Sequence, residues 1–258
     1  MFSEEINVQP IEIYDEYIGN IPVIHVVPAG EKDKALPTIF HFHGYTSSKE
    51  LHSFFGYAFA RAGFRVILPE AIQHGQRFDG NIERRRYQFW EILERNIDEF
   101  ALYVSHYQKK GLLIEGKIGI SGTSMGGFTV LGLLAKYTNI NAAASYMGSG
   151  FFATLSHNLF PPVPINNEAD FAQVDRIMTN LNKLDSRMNL AALGAVPLFL
   201  WHGKQDEIVP VYESEALYAE LQHHDYAAKT TLIIDENATH KVTTEALYQG
   251  VAFFHNML

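Results

Sequence analysis

The stretch "GISGTSMGGFTVLG" (119–132) sets a serine among glycines between two patterned runs. The residues leading into it, "KIGIS" (117–121), read as a strand, and "FTVLGLLAKY" (128–137) carries apolar residues at helical spacing. Gly122-Thr123-Ser124-Met125-Gly126 fits G-x-S-x-G in the strand–turn–helix setting that a nucleophile elbow requires. A turn that sharp holds its serine in a strained backbone conformation, and side chains at 122 or 126 would collide with the neighbouring strand or helix. Gly127 would let the helix pack closely. Ser124 is therefore the candidate nucleophile, set against the plainer reading of one hydroxyl in an ordinary turn.

Outward from this motif, short runs rich in β-branched and aromatic residues recur: "IEIY" (11–14), "IPVIHVV" (21–27), "TIFHF" (38–42), "FRVIL" (64–68), "AAASYM" (142–147), "PLFLW" (197–201) and "TTLIID" (230–235). With 117–121 they predict an eight-stranded sheet. Segments 51–62, 81–110, 125–137, 211–224 and 243–257 have helical length and spacing. Alternating strands and helices predict an α/β fold with a mainly parallel sheet covered on both faces, and the start is antiparallel because 11–27 leaves no room for a crossover helix. At 258 residues, the whole of 1–258 reads as one domain with a single large core.

One stretch breaks the alternation. The fifty or so residues between Met147 and Pro197 hold "FPPVP" and a helical pattern with Phe171, Val174, Met178 and Leu181 on one face. Segment 151–190 reads as a small lid inserted after the sixth strand, over the C-terminal edge of the sheet; the plainer alternative is an added packing element away from any site. The Pro-x-x-Pro match within it reads as prolines shaping a loop.

A serine hydroxyl needs a base to take its proton and a third group to orient that base. Beyond "PLFLWHG" stands Asp206, with Glu207 and Asp235 as lesser candidates, and beyond "TTLIIDENAT" stands His240. The order Ser124, Asp206, His240 is the one seen on this kind of architecture. The oxyanion donors are assigned to two backbone N–H groups: that of Tyr45, in "HFHGYTSS" (41–48) after the third strand, and that of Met125, at the start of the helix behind the serine. His74, in "AIQHGQRFDG", lies at the same sheet edge and either lines the pocket or stabilises its loop. His41 and His43 form an H-x-H pair that could begin a metal site, but no nearby Asp or His in the sequence completes one, so no metal is expected. His43-Gly44 is read instead as shaping the oxyanion turn.

Composition narrows the function classes. Hydrophobic residues are 47% and charged residues 19% of the chain, a globular balance, and the net charge of −9 offers no footprint for nucleic acid. The one dense basic run, "RRR" at 84–86, sits among glutamates and reads as a solvated helix face. "MFSEEINVQP" lacks the basic start of a signal peptide, and no apolar run reaches spanning length. A soluble, cytoplasmic protein without a membrane partner is expected. The absence of cysteine excludes disulfides and thiolate chemistry. The charge is compatible with a monomer or a homodimer.

These residues resemble the α/β-hydrolase superfamily, in particular small bacterial carboxylesterases of the YjfP/YitV type, on the branch shared with dienelactone hydrolases and prolyl-oligopeptidase catalytic domains. The resemblance runs almost end to end and is carried by "HGYTSSKE", "HGQRFDG", "GTSMGG", "YMGSGFF", "LFPP", "LWHGKQDEIVP" and "ATHKVTTEAL". It implies Ser124, Asp206 and His240 as the catalytic triad and Tyr45 with Met125 as oxyanion donors, the assignments already made from the spacing. Two departures matter. Dienelactone hydrolases use a cysteine nucleophile that this chain lacks, and the chain has no length for the propeller of a prolyl oligopeptidase. Glu70 stands where many relatives carry Asp.

The expectation is a serine carboxylesterase without a cofactor, acting on a small-molecule ester through an acyl-enzyme. Phe151, Phe152 and Phe160 of the lid suggest a short apolar acyl pocket. The same triad would serve a thioesterase, a small-peptide hydrolase or a perhydrolase; a hydrolase fold kept only for binding is the reading from another class.

Overall fold

Gly19 and Asn20 close a two-residue turn between β1 (Ile11–Ile18) and β2 (Ile21–Pro28), with Gly19 at φ +62. Such a backbone value suits the tight hairpins whose twist matches that of the strands. The pair continues antiparallel into β4 (Arg65–Pro69), and the rest of the sheet runs parallel through β3 (Leu36–Phe42), β5 (Leu113–Thr123), β6 (Ala142–Tyr146), β7 (Leu198–Gly203) and β8 (Thr230–Asp235). The order across the sheet is β1-β2-β4-β3-β5-β6-β7-β8. A computed structural model describes residues 9–160 and 162–258. The stretch "MFSEEINV", read as lacking a signal peptide, and Pro161 of the Pro-x-x-Pro match lie outside the described residues.

Neighbouring side chains along a strand point to opposite faces, and both faces are buried. Ile39 and Val66 face one apolar layer with Phe55 and Phe59 of α1 (Ser53–Arg61) and Phe253 and Phe254 of α9 (Thr244–Met257). Phe40 and Ile67, the next residues in each strand, face the other layer. There they meet α3 (Phe89–Lys109), α4 (Met125–Lys136), α7 (Leu190–Ala195) and α8 (Tyr212–His223). The predicted strands are all present. The helical segment expected over 81–110 is two helices, α2 (Ile82–Arg86) and α3. They part at Tyr87 and Gln88, where the Tyr45 hydroxyl donates to the Arg85 carbonyl at 2.7 Å.

The insertion between β6 and β7 holds α5 (Phe152–Asn158) and α6 (Glu168–Leu184). Asn167 caps α6 by accepting from the Ala169 and Asp170 N–H groups. Across from it, Arg176 bridges Glu91 and Glu94 of α3 at 3.4 and 3.3 Å. No helix among the described residues is long and apolar enough to cross a membrane.

Buried histidines recur through the fold. His25 accepts from Arg65 Nε and stands 3.2 Å from Glu16, while His41 is bonded to Ser121 and to His52. His43 lies beside His52 and His74. Folding brings His52 and His74 to the H-x-H pair from 9 and 31 residues along the chain from His43, and among the described residues no group of three or more ligating side chains is placed to hold a metal ion. The ring nitrogens of these histidines bond to one another or to neighbouring protein groups.

Candidate active site

The parallel strands and β4 end along one edge, and the loops that leave it form the site. Ser124 follows β5 directly and has φ +54 and ψ −121, a conformation costly for any residue with a side chain. It persists because the surroundings fix it. The Ser124 N–H donates to the Tyr146 carbonyl at 2.8 Å, and α4 begins at the next residue. A Cβ on Gly122 would lie 2.2 Å from the Gly126 carbonyl oxygen, and one on Gly126 would lie 2.0 Å from that of Phe42. Both collisions are with backbone, as the motif implies. Gly126→Ala should cost about 2–4 kcal/mol of stability, read as a lower denaturant midpoint. An unchanged midpoint would mean that α4 can draw back from β3 without cost.

Two further loops complete a hydrogen-bonded line. His240 Nε2 is 2.9 Å from Ser124 Oγ, and its Nδ1 is 2.6 Å from Asp206 Oδ2. A carboxylate can only accept, so Nδ1 carries the proton and Nε2 presents its lone pair to the serine hydroxyl. Asp206 Oδ1 accepts from the N–H groups of Ile208 and Val209, each at 2.9 Å. Burial alone would raise the Asp206 carboxyl. Hydrogen bonds from His202, His240 and the Val209 N–H outweigh it and hold the group well below the ordinary carboxylate range. Glu207 is exposed, and Asp235 accepts from the Asn237 N–H, so neither lesser candidate reaches His240.

Sequence reading missed two residues here. His202 lies behind the acid, with Nε2 2.9 Å from the Val209 carbonyl and 3.3 Å from Asp206 Oδ2, and Nδ1 2.7 Å from Ser214 Oγ. Gly203 lets the His240 loop close, because a Cβ there would stand 2.4 and 2.5 Å from the carbonyls of Thr239 and Ala238. The "WHG" before the acid was the available signal.

Gly44 packs on the serine, its missing Cβ falling 3.5 Å from Ser124 Cβ. That contact brings the adjoining Tyr45 peptide to the site, while Met125 opens α4, whose first N–H groups have no partner within the helix. His74 is fully buried and accepts from the Thr46 N–H at 2.9 Å. Phe152 is also fully buried, against Trp90 and Phe128, and Phe151 is 2% exposed beneath Arg187. In this conformation both rings are taken up in core packing. Phe160 remains partly exposed and stacks on Phe89 at 4.0 Å, next to Tyr45.

The sequence profile of the prolyl oligopeptidase family matches residues 73–257, which include Ser124, Asp206 and His240. The chain belongs to the prolyl oligopeptidase family. Within that family's range of architectures, it is 37% identical over 248 residues to the esterase YjfP of Escherichia coli, covering 96% of this chain and 100% of that one. It is 33% identical over 254 residues to YitV of Bacillus subtilis, again covering 96% and 100%. The crystal structure of TT1662 from Thermus thermophilus has the same fold, with a TM-score of 0.75 at 20% identity over 96% of this chain and 98% of that one. The mostly parallel sheet and its flanking helices are the α/β-hydrolase fold.

Proposed function

We propose that the chain is a serine carboxylesterase that needs no cofactor and acts on esters of short acyl chains. Membership of the prolyl oligopeptidase family makes it a hydrolase of the esterase and peptidase type. The esterase reading rests further on its likeness to YjfP, named an esterase, along the full length of both chains. The observation that carries the mechanism is the line Ser124–His240–Asp206 at 2.9 and 2.6 Å.

In that mechanism His240 Nε2 takes the Ser124 hydroxyl proton as Oγ bonds to the ester carbonyl carbon. Asp206 holds the imidazolium that results. The carbonyl oxygen, now an anion, lies against the N–H groups of Tyr45 and Met125, each such donor being worth about 3 kcal/mol in the transition state. His240 passes the proton to the departing alkoxide, leaving an acyl-serine. Water, deprotonated by the same nitrogen, releases the acid and restores the hydroxyl. Every proton is handled by a side chain already present.

The short-chain preference is inferred from the aromatic packing beneath the insertion, with 151–190 acting as the lid. Phe89, Trp90, Phe128, Phe152 and Phe160 fill that side with rings on rings. Across p-nitrophenyl esters from acetate to palmitate, kcat/KM should peak between acetate and hexanoate. A fluorophosphonate should label Ser124 and no other residue, as read by peptide mass. A folded protein that neither labels nor turns over any ester would overturn the proposal. The family's peptidase members favour one rival, a small-peptide hydrolase on the same triad, and matched ester, thioester and amide substrates separate them by kcat/KM.

A further inference from the structure

Two buried histidines hold the peptides on either side of Tyr45, and neither belongs to the triad. His43 Nδ1 lies 2.9 Å from the Gly44 carbonyl, which can only accept, so Nδ1 bears a ring proton and donates to it, while Nε2 lies 3.0 Å from the Ala71 nitrogen. The Ser47 N–H donates to the same oxygen at 3.1 Å. The Gly44 carbonyl and the Tyr45 N–H are two ends of one planar trans peptide and point in opposite directions. A donor that holds the oxygen therefore aims the hydrogen. The next peptide is held as well: His74 Nδ1–H donates to the Ile72 carbonyl at 2.9 Å, which leaves Nε2 to accept the Thr46 N–H at 2.9 Å.

The frame joins two loops. His43 and Gly44 come from the turn after β3, and His74 comes from the loop after β4. Glu70 stands behind His43, with Oε1 3.0 Å from His43 Nε2 and 3.4 Å from the Lys49 nitrogen. Gly75, at φ +43, makes room for that carboxyl, since a Cβ there would fall 1.9 Å from Glu70 Oε2. The held loop is not a relaxed one. Thr46 has φ +63, a left-handed value that a β-branched residue avoids unless its neighbours impose it.

We infer that His43 and His74 are positioning residues that fix the two peptide planes flanking Tyr45, so that its N–H is aimed at the oxygen bound beside Ser124. This rests on the esterase reading for what the N–H does, and on geometry alone for the frame. Oxyanion donors act only when preorganised, because a loop free to turn would spend the transition state's stabilisation on its own ordering.

The test uses the two amides that imitate one ring nitrogen each. In His43→Asn the side-chain N–H falls where Nδ1–H was and still reaches the Gly44 carbonyl. In His43→Gln the amide falls at the Nε2 position and the Gly44 carbonyl loses its side-chain donor, keeping only the Ser47 N–H. His43→Gln should lower kcat by about ten- to a hundredfold with KM within about threefold, while His43→Asn retains most of the turnover. Equal losses in the two variants, or wild-type kcat in His43→Gln, would overturn the inference. A second measurement does not depend on turnover. Amide hydrogen exchange at Thr46 should quicken about tenfold in His74→Leu and return toward wild type in His74→Gln, whose Oε1 replaces Nε2 as acceptor. Unchanged exchange in His74→Leu would refute the frame whatever the enzyme hydrolyses. A normal exchange response in a wild-type protein without ester turnover would uphold the frame and reject the esterase reading.

Discussion

Ser124→Ala and His240→Ala should each lower kcat by about a millionfold, and the double variant should be no slower than either single one. The first removes the atom that forms the acyl bond; the second leaves the hydroxyl proton with nowhere to go. Because the two groups act in one step, their losses do not add. Asp206→Asn should cost about ten-thousandfold for a reason visible in its contacts. Oδ1 accepts two backbone N–H groups, from Ile208 and Val209, so the amide oxygen must take that place. The amide NH2 is then turned toward His240 Nδ1, which can accept from it only by giving up its own proton, and Nε2 becomes the protonated nitrogen. A ring in that tautomer cannot act as a base toward Ser124. Folded variants with wild-type kcat would remove the triad from the mechanism.

The second large effect is on stability in acid. Burial pushes His25 and His74 down to about 4 and His52 down to about 3, and it holds His41 well below its ordinary value of 6.5. At His25 the neighbouring Glu16 carboxylate opposes burial more than Arg65 adds to it, and burial still prevails. Each takes up its proton on unfolding and not before, so the unfolded chain binds more protons and stability falls as pH falls. The contribution is intact above about pH 6.5 and is lost downward, until the folded values are reached near 4 and 3. At about 1.4 kcal/mol per group per pH unit, four groups give a slope of about 5 kcal/mol per unit around pH 5.

Between pH 7 and pH 5 the loss is about 7 kcal/mol, on the scale of a whole domain's stability. Glu94 and Glu213 oppose it, since burial raises both, but they gain protons nearer the carboxylate range. Denaturant midpoints at pH 7, 6 and 5 should fall steeply, and His52→Gln should flatten the slope by about a quarter. Midpoints independent of pH over that interval would show that these rings are charged within the folded protein.

Local geometry explains what could be read from the residues alone. Gly122 and Gly126 collide with atoms within the same strand–turn–helix unit or at the adjoining end of β3, so a short motif announces them. Asp206 and His240 follow strands whose apolar runs are plain. Gly203 and Glu70 are different. Their partners are Ala238, Thr239, His43 and Gly75, which come near only when loops from separate strands fold onto one edge. Phe152 was expected to line the pocket because it is aromatic and sits in the insertion. Its burial follows from Trp90 and Phe128, residues of other helices that no periodicity within 151–190 could reveal.

Ser124, Asp206 and His240 stand at the ends of β5, β7 and β8; α8 joins β7 to β8, whereas β6 and the insertion separate Ser124 from both partners. Ser124 and His240 are 116 positions apart, and the chain between them must be ordered before the bond from Ser124 to His240 can form. On the proposed mechanism, a nascent chain carrying the strained serine elbow is inert until residue 240 has left the ribosome and β8 has been laid beside β7. Hydrolytic power is thus a property of the finished sheet, acquired late in a fold rich in long-range contacts. Fluorophosphonate labelling consequently reports the completion of folding as directly as it reports chemistry.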